Sequence, residues 1–179
     1  MLVLVVGPSG AGKDTLINAA KAALQDDRRF VFPRRVVTRE AVAALEDHES
    51  VTAEEFALRE QHGAYALSWE AHGLRYGLPA SIAGDIAAKR VVVMNGSRRM
   101  IPLALERFPG TRVVLVEATP EVRAARLGGR GRESAEEIEA RLRREVDTPM
   151  AGAIRVDNSG TREAGEARFI AVLTEFAAF

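Results

Sequence analysis

Three runs of consecutive apolar residues punctuate the chain: LVLVV (2–6), VVVMN (91–95) and VVLVE (113–117). They are short, rich in β-branched residues and apolar at successive rather than alternate positions. That pattern predicts strands buried on both faces, as in a parallel sheet. AIRV (153–156) predicts a shorter fourth strand. Between the runs the spacing turns helical. Asp14 to about Leu24 carries Leu16, Ala20, Ala23 and Leu24 on one side, and a second helix is expected from about Ser97 to Arg107. Thr119 followed by Pro120 and Glu121 reads as an N-cap with proline at the first helical position. Ser134 and Glu137 form a capping-box pattern for an arginine-rich helix reaching about Glu145, and a last helix is expected over 162–176. Strands alternating with helices predict an α/β fold, a parallel sheet flanked by helices with right-handed crossovers.

Residues 33–79 break this rhythm. Thr52 and Glu55 mark the start of a short helix by another capping-box pattern, and AYALSW (64–69) has strand character. This stretch reads as a small insert on a core formed by about 1–32, 80–125 and 147–179. At 179 residues the chain is long enough for one well-buried domain and short for two.

Composition narrows the function classes. The 25 basic and 25 acidic residues balance, which argues against a sequence-independent nucleic-acid binder. There is no cysteine, so disulfides, zinc-thiolate sites and thiol nucleophiles are excluded. The first apolar run is too short for a signal peptide or a membrane span, so a soluble cytoplasmic protein is expected. Only Lys13, Lys21 and Lys89 are lysines, and the other basic residues are arginines. Arginine suits bidentate phosphate recognition, but a genome-wide codon bias explains the excess equally well.

The first apolar run leads directly into GPSGAGKDT (7–15). A glycine-rich loop of the form G-x-x-x-x-G-K between a buried strand and a helix turns its backbone N–H groups inward around phosphates. The helix N-terminus adds a field that favours anions. Gly7, Pro8, Ser9, Gly10, Ala11, Gly12 and Lys13 fit this pattern, with Lys13 placed to bridge β- and γ-phosphates. The loop is therefore expected to bind a nucleoside triphosphate. The residue after the lysine is normally a hydroxyl that ligates Mg²⁺. Here it is Asp14, with Thr15 behind it. An acid in a first helical turn is stabilised by roughly 0.3–1 kcal/mol whatever its function. Beside phosphates it would repel them unless a metal lay between, so Asp14 is also a candidate Mg²⁺ ligand, directly or through water.

With these residues in view, the chain resembles the guanylate kinase family over nearly its whole length. It is most similar to one branch, the ribose 1,5-bisphosphate phosphokinases of phosphonate breakdown. GPSGAGK matches the family's phosphate loop, VTR (37–39) is similar to its Thr-Arg segment, and EDHE followed by TAEEF resembles the start of its substrate insert. WEAHGLRYGLP (69–79) resembles the W-A-E-x-H-G-x-x-Y-G stretch, one residue shorter between tryptophan and histidine. RLGGRGRES with IEARLRRE (126–145) resembles the arginine-bearing lid, in which Arg130 and Arg141 follow the family spacing. Arg132, Arg143 and Arg144 suit a charged outer face. The Lys-Asp pair, AHGLRYG and VVMNGSR (92–98) are the features of the ribose bisphosphate branch.

Guanylate kinases place a guanine-reading glutamate just before the tryptophan, where this chain has Ser68, with Leu67 before it. They place serine or threonine after Tyr-Gly, where it has Leu78. The tyrosine that grips their substrate phosphate is matched by His48. A second arginine has no counterpart in EAVAALED, and the strand that ends there in aspartate ends here in Asn95. A site built to hydrogen-bond a base loses orders of magnitude in selectivity without those partners. The resemblance thus implies a kept donor half for ATP and Mg²⁺ and a lost guanine reader. The expected acceptor is a small sugar bisphosphate, ribose 1,5-bisphosphate, converted to 5-phosphoribosyl 1-diphosphate. Arg39, His48, His72, Tyr76 and Arg98 offer donors for its phosphates, and Asn95 for its hydroxyls. Lys13, Arg130 and Arg141 are the expected catalytic residues. Tyr76 and His72 equally suit structural roles, Trp69 suits the core, and Glu46, Asp47 and Glu49 suit a solvated loop. Two other readings stand beside this one. The first is a nucleoside monophosphate kinase, against which Ser68 and Leu78 count. The second is a non-catalytic guanylate-kinase-like binding module, a class that tends to lose the glycine loop and lysine kept here. Oligomeric state is not legible.

Overall fold

The computed structural model describes residues 1–39, 48–71, 73–129 and 152–178. Five strands form the central sheet: β1 (Leu2–Val6), β2 (Phe30–Val31), β7 (Val91–Asn95), β8 (Arg112–Glu117) and β9 (Ile154–Asp157), in the order β2-β7-β1-β8-β9. Every pairing in it is parallel. The expected fourth strand is displaced by one residue, because Asp157 pairs with Glu117 and Ile154 with Val114, leaving Ala153 outside.

Alternation along β1 divides the core in two. Val3 and Val5 point to the side covered by α1 (Lys13–Ala23) and α6 (Arg162–Phe176), against Leu16, Ala20, Phe169 and Leu173. Leu2, Leu4 and Val6 point to the other side, against Met100, Ala104 and Ile82. That side carries α3 (Ile82–Ala87) and α4 (Ile101–Arg107). Burying such a valine or leucine side chain is worth about 1.5–3 kcal/mol, and all five β1 side chains are fully buried. The sheet therefore requires both helical layers.

Helix boundaries follow local chemistry. Helix α2 (Ala53–Gln61) starts where expected, with the Thr52 hydroxyl accepting from the Glu55 N–H at 3.1 Å. Helix α5 (Pro120–Gly128) is capped by Thr119, which accepts from Val122, and α6 by Thr161, which accepts from Ala164. The helix expected over 97–107 begins instead as a 3₁₀ turn at Arg98–Met100 and becomes α-helical at Ile101. Pro102 has no N–H to donate, so it is tolerated in a first turn but not inside a longer helix. The Ser134 helix lies outside the described residues.

The described part of residues 33–79 holds more strand than its sequence implies. It forms a second sheet, β4-β3-β6-β5, from β3 (Arg35–Val37), β4 (His48–Ser50), β5 (Tyr65–Ala71) and β6 (Leu74–Pro79). The β3–β4 pairing is parallel and the others antiparallel. One face is covered by α2, through Val36, Val51, Phe56 and Tyr65. The other carries Leu67, Trp69 and Leu78, of which Leu67 and Leu78 are buried in the second core layer and Trp69 packs against it.

Candidate active site

Strand β1 sits between β7 and β8, so the chain leaves it in one direction and later returns on the other side. Ligands in open parallel sheets bind at such a switch point, outside the carboxyl ends of the strands. The glycine loop lies there. Gly7 has φ 148°, and a Cβ on it would fall 2.1 Å from the Val116 carbonyl oxygen. Gly12 has φ 91°, and a Cβ there would meet the Asn158 amide at 2.5 Å. Only glycine lets the loop lie this close to β8 and to the segment after β9.

The loop carbonyls are held from outside. Arg123 of α5, 2 % exposed, donates from Nε to the Ser9 carbonyl at 3.0 Å. The buried Asn158 side chain donates to the Ala11 carbonyl at 2.8 Å. Arg126 donates to the same carbonyl and, at 2.9 Å, to that of Asn158. Within the loop the Ala11 N–H donates to the Pro8 carbonyl at 3.3 Å. Sequence reasoning missed Arg123, Arg126 and Asn158. Their only signals were two arginines three apart on one helix and an asparagine just past a strand end.

Lys13 opens α1 and folds over the loop, its Nζ donating to the carbonyls of Gly7 at 2.8 Å and Pro8 at 3.0 Å. Asp14 and Thr15 follow in the first turn. The Asn95 amide, at the end of β7, donates to Asp14 Oδ1 at 2.6 Å. Two residues far apart in sequence thus share the crevice, and one amide proton of Asn95 is committed to Asp14. The donor set suits a hard cation. Among the described residues no group of three or more His, Cys, Asp and Glu side chains forms a metal cage. Mg²⁺ is commonly held by one or two carboxylates plus substrate phosphates, and Asp14 beside the loop fits that.

Across a cleft from α1 stands the insert. Trp69 and Tyr76 are register partners on adjacent strands, stacked with centroids 5.3 Å apart. The Arg35 guanidinium lies 5.6 Å from the Tyr76 ring centroid, and Arg35 pairs in register with His48. Arg35, His48, Tyr76, Trp69, Leu67 and Leu78 therefore share the sheet face away from α2. A bulge between Tyr65 and Leu67 sets this phase: Tyr65 stacks on Phe56 of α2, while Leu67 lies on the opposite face paired with Leu78.

Ser68, expected at the position of a base reader, points to the α2 face instead. Its hydroxyl donates to Glu60 Oε1 at 2.5 Å, and Arg75 pairs with the other carboxylate oxygen. Arg75 also lies 4.6 Å from the Phe56 ring centroid. The Ser68 hydroxyl first, and the Arg75 charge after it, hold the Glu60 carboxyl below its ordinary range. The acid nearest Ser68 is consumed within the insert, and the Leu67–Leu78 pair on the opposite face is buried in the core.

Other expected residues are more dispersed. Arg39 is exposed beyond β3, and Arg98 is half-buried in the 3₁₀ turn after β7. His72, Arg130 and Arg141 lie outside the described residues, as do Glu46 and Asp47. Trp69 packs against the second core layer while stacking on Tyr76.

The solved guanylate kinase of Anaplasma phagocytophilum superposes with a TM-score of 0.70 at 17 % identity, covering 97 % of this chain and 85 % of that one. No protein-family model matches the chain. The chain has the guanylate kinase fold, with a glycine loop after its first strand. The ribose 1,5-bisphosphate phosphokinase PhnN of Brucella melitensis is 47 % identical over 177 residues, 98 % of this chain and 92 % of that protein. The protein of the same name from Acidiphilium cryptum is 52 % identical over 172 residues, 96 % of this chain and 91 % of its own. The chain belongs to the ribose 1,5-bisphosphate phosphokinase family.

Proposed function

We propose that the protein transfers the γ-phosphoryl group of ATP to the 1-phosphate of ribose 1,5-bisphosphate, giving 5-phosphoribosyl 1-diphosphate and ADP. The observation that supports this reading is an intact phosphate loop beside an insert in which the positions matched to the guanine readers are used internally: the Ser68 hydroxyl donates to Glu60, and Leu78 is buried in the core. The relatives' names point to the same acceptor.

The chemistry asks for position and charge neutralisation. An oxygen of the 1-phosphate attacks the γ-phosphorus, and the bond to the β–γ bridging oxygen breaks with its electrons leaving on ADP. The nucleophile is already an anion, so no strong base is required. The loop N–H groups and Lys13 hold the β- and γ-oxygens, and Lys13 exchanges its contacts with Gly7 and Pro8 for those of the triphosphate. Mg²⁺, when bound next to Asp14, supplies further neutralisation of phosphate charge. Arg39, His48 and Tyr76 grip the acceptor's 1-phosphate, with His72 and Arg98 as further donors. Asn95 orients a ribose hydroxyl with its remaining amide proton or its carbonyl. Arg130 and Arg141 cover the transferring group and exclude water. The enzyme acts on small polar metabolites in the cytoplasm, with no role in nucleic-acid binding.

The test is ATP turnover with ribose 1,5-bisphosphate, guanylate and ribose 5-phosphate side by side. The bisphosphate is expected to lead in kcat/KM by at least about 100-fold. A larger value for guanylate makes the protein a nucleoside monophosphate kinase, and no turnover with any acceptor makes it a binding module.

A further inference from the structure

Asn158, the first residue after β9, is 4 % exposed and is held by its backbone from two sides. Its N–H donates to the Glu117 carbonyl at the end of β8 at 2.8 Å, and its carbonyl accepts from Arg126 of α5 at 2.9 Å. The side chain lies between two glycines. A Cβ on Gly12 would fall 2.5 Å from Nδ2, and a Cβ on Gly165 of α6 would fall 2.0 Å from Oδ1 and 3.0 Å from Cγ. Gly12 has a left-handed φ of 91°, which calls for glycine in any case, whereas Gly165 is an ordinary helical residue. Its N–H donates to the Thr161 carbonyl at 3.2 Å in the first turns of α6, where glycine is the poorest helix former after proline. What glycine supplies at 165 is room for the Asn158 carboxamide.

That carboxamide is used on one side. Nδ2 donates to the Ala11 carbonyl at 2.8 Å, while Oδ1 is buried with no hydrogen-bond partner among the described residues. A buried acceptor left unpaired costs stability, so fold stability alone does not account for this residue. What it does is orient a peptide. The Ala11 carbonyl and the Gly12 N–H belong to one planar trans unit and point in opposite directions. Anchoring the carbonyl on Nδ2, with Arg126 as a second donor at 3.4 Å, turns the Gly12 N–H away from Asn158. Lys13 is the next residue along. We propose that Asn158, seated by Gly165, is a positioning residue for the donor nucleotide: it aims the Gly12 N–H at the β-phosphate of ATP, so that a contact made behind the loop sets donor affinity. The assignment rests on the loop's proposed role in holding the triphosphate.

The test compares the binding of ADP and of AMP, which lacks the β-phosphate, by titration calorimetry in wild type, Asn158→Asp and Gly165→Ala, alongside thermal unfolding. Asn158→Asp keeps the shape of the side chain and replaces the donor by an acceptor, which turns the Ala11 carbonyl away. It is expected to weaken ADP roughly 10–100-fold, the loss of a hydrogen bond to an anion, and AMP by no more than about threefold. Gly165→Ala pushes on the carboxamide without touching the loop and should weaken ADP by about 3–10-fold, with AMP again spared. It should lower Tm in the wild-type background and raise it in Asn158→Ala, where the clash is gone and the nearest other atom to the new Cβ is Leu16 Cδ2 at 3.6 Å. Equal weakening of ADP and AMP overturns the assignment, since Asn158 would then serve the nucleoside or the fold. Unchanged ADP affinity in either folded variant also overturns it, as does a Gly165→Ala effect of the same sign in both backgrounds. Should Asn158→Asp not fold, Gly165→Ala decides by the same comparison. Both ligands are read without an acceptor, so a wrong acceptor in the proposed function does not touch this result. A wild type that binds no ADP removes the loop's role and this assignment together.

Discussion

Replacing Asn95 by aspartate probes the crevice most directly, because the Asn95 amide donates to Asp14 at 2.6 Å and both side chains are half-buried. The substitution removes a hydrogen bond to a charged acceptor, worth about 1.5–3 kcal/mol. It also sets two carboxylates side by side, a repulsion of about 1–4 kcal/mol at 4 Å between the limits of water and a protein-surface environment. At their lower limits these sum to an expected destabilisation of at least about 2.5 kcal/mol without ligand, or a fall in Tm of at least about 5 °C for a chain of this size. Asp14→Ser alone should cost less, since it leaves a neutral amide facing a hydroxyl. In the double variant the new serine hydroxyl can donate to the new carboxylate, rebuilding the pair with its polarity reversed. The double variant should therefore regain at least about 1 kcal/mol relative to the sum of the single changes. The same cycle on kcat/KM at several Mg²⁺ concentrations tests the proposed metal role. Asp14→Ser should raise the Mg²⁺ needed for half-maximal rate, and adding Asn95→Asp should lower it again. Additive stability effects would refute the hydrogen-bond coupling. Additive kinetic effects at every Mg²⁺ concentration would show that the two positions do not share an ion, leaving Asp14 an ordinary helix-start acid.

Lys13→Ala should lower kcat by about 100-fold or more while leaving thermal unfolding nearly unchanged, because the lysine's hydrogen bonds to the described residues are to its own half-exposed loop; near-normal turnover would remove the loop from the mechanism. Ser68→Glu combined with Leu78→Ser, which restores the guanylate-kinase residue types, should not yield guanylate kinase activity. The new carboxylate would face Glu60 on the α2 side of the insert, and Leu78→Ser empties a fully buried core position, so the expected result is a loss of stability of about 3 kcal/mol or more, and appreciable guanylate turnover would show that the strand phase can slip. Glu60→Gln should destabilise the protein by about 1 kcal/mol at neutral pH, measured by denaturant melts across pH. The Glu60 pKa is depressed on folding, so its contribution is complete above about pH 4.5 and disappears as the pH falls through the lower folded value. The gap between Glu60→Gln and wild type should close in that acid window, and a gap that is constant with pH would contradict the ion pair with Arg75.

The central sheet was legible because its physics is local. LVLVV, VVVMN and VVLVE bury both faces, and that requirement is written in consecutive residues. The glycine loop was legible for a similar reason: positive φ angles at Gly10 and Gly12 demand glycine whatever surrounds them. Thr119 and Thr52 declared their helix starts through one hydroxyl each, within three residues of the N–H that each receives. Sequence could also pair Asp14 with Asn95 as departures from one family pattern, although nothing in either segment specifies a distance.

What tertiary structure decided was the direction of side chains whose surroundings come from elsewhere. Strands β3, β4 and β6 are short or interrupted by glycine, and they exist because neighbouring strands supply the missing backbone partners. A single bulge between Tyr65 and Leu67 reverses the facing of everything after it, sending Ser68 to Glu60 and bringing Leu67 to Leu78. A one-residue shift exchanges the two faces of a strand, so no alignment of residue types could settle that point. Arg123, Arg126 and Asn158 became supports of the loop only when α5 and β9 were laid against it, across more than 100 positions of chain. Lys21 and Arg35 likewise share one cleft because α1 and β3 fold against it. Each of these features depends on long-range packing, which places groups in space without leaving a periodic mark in the sequence.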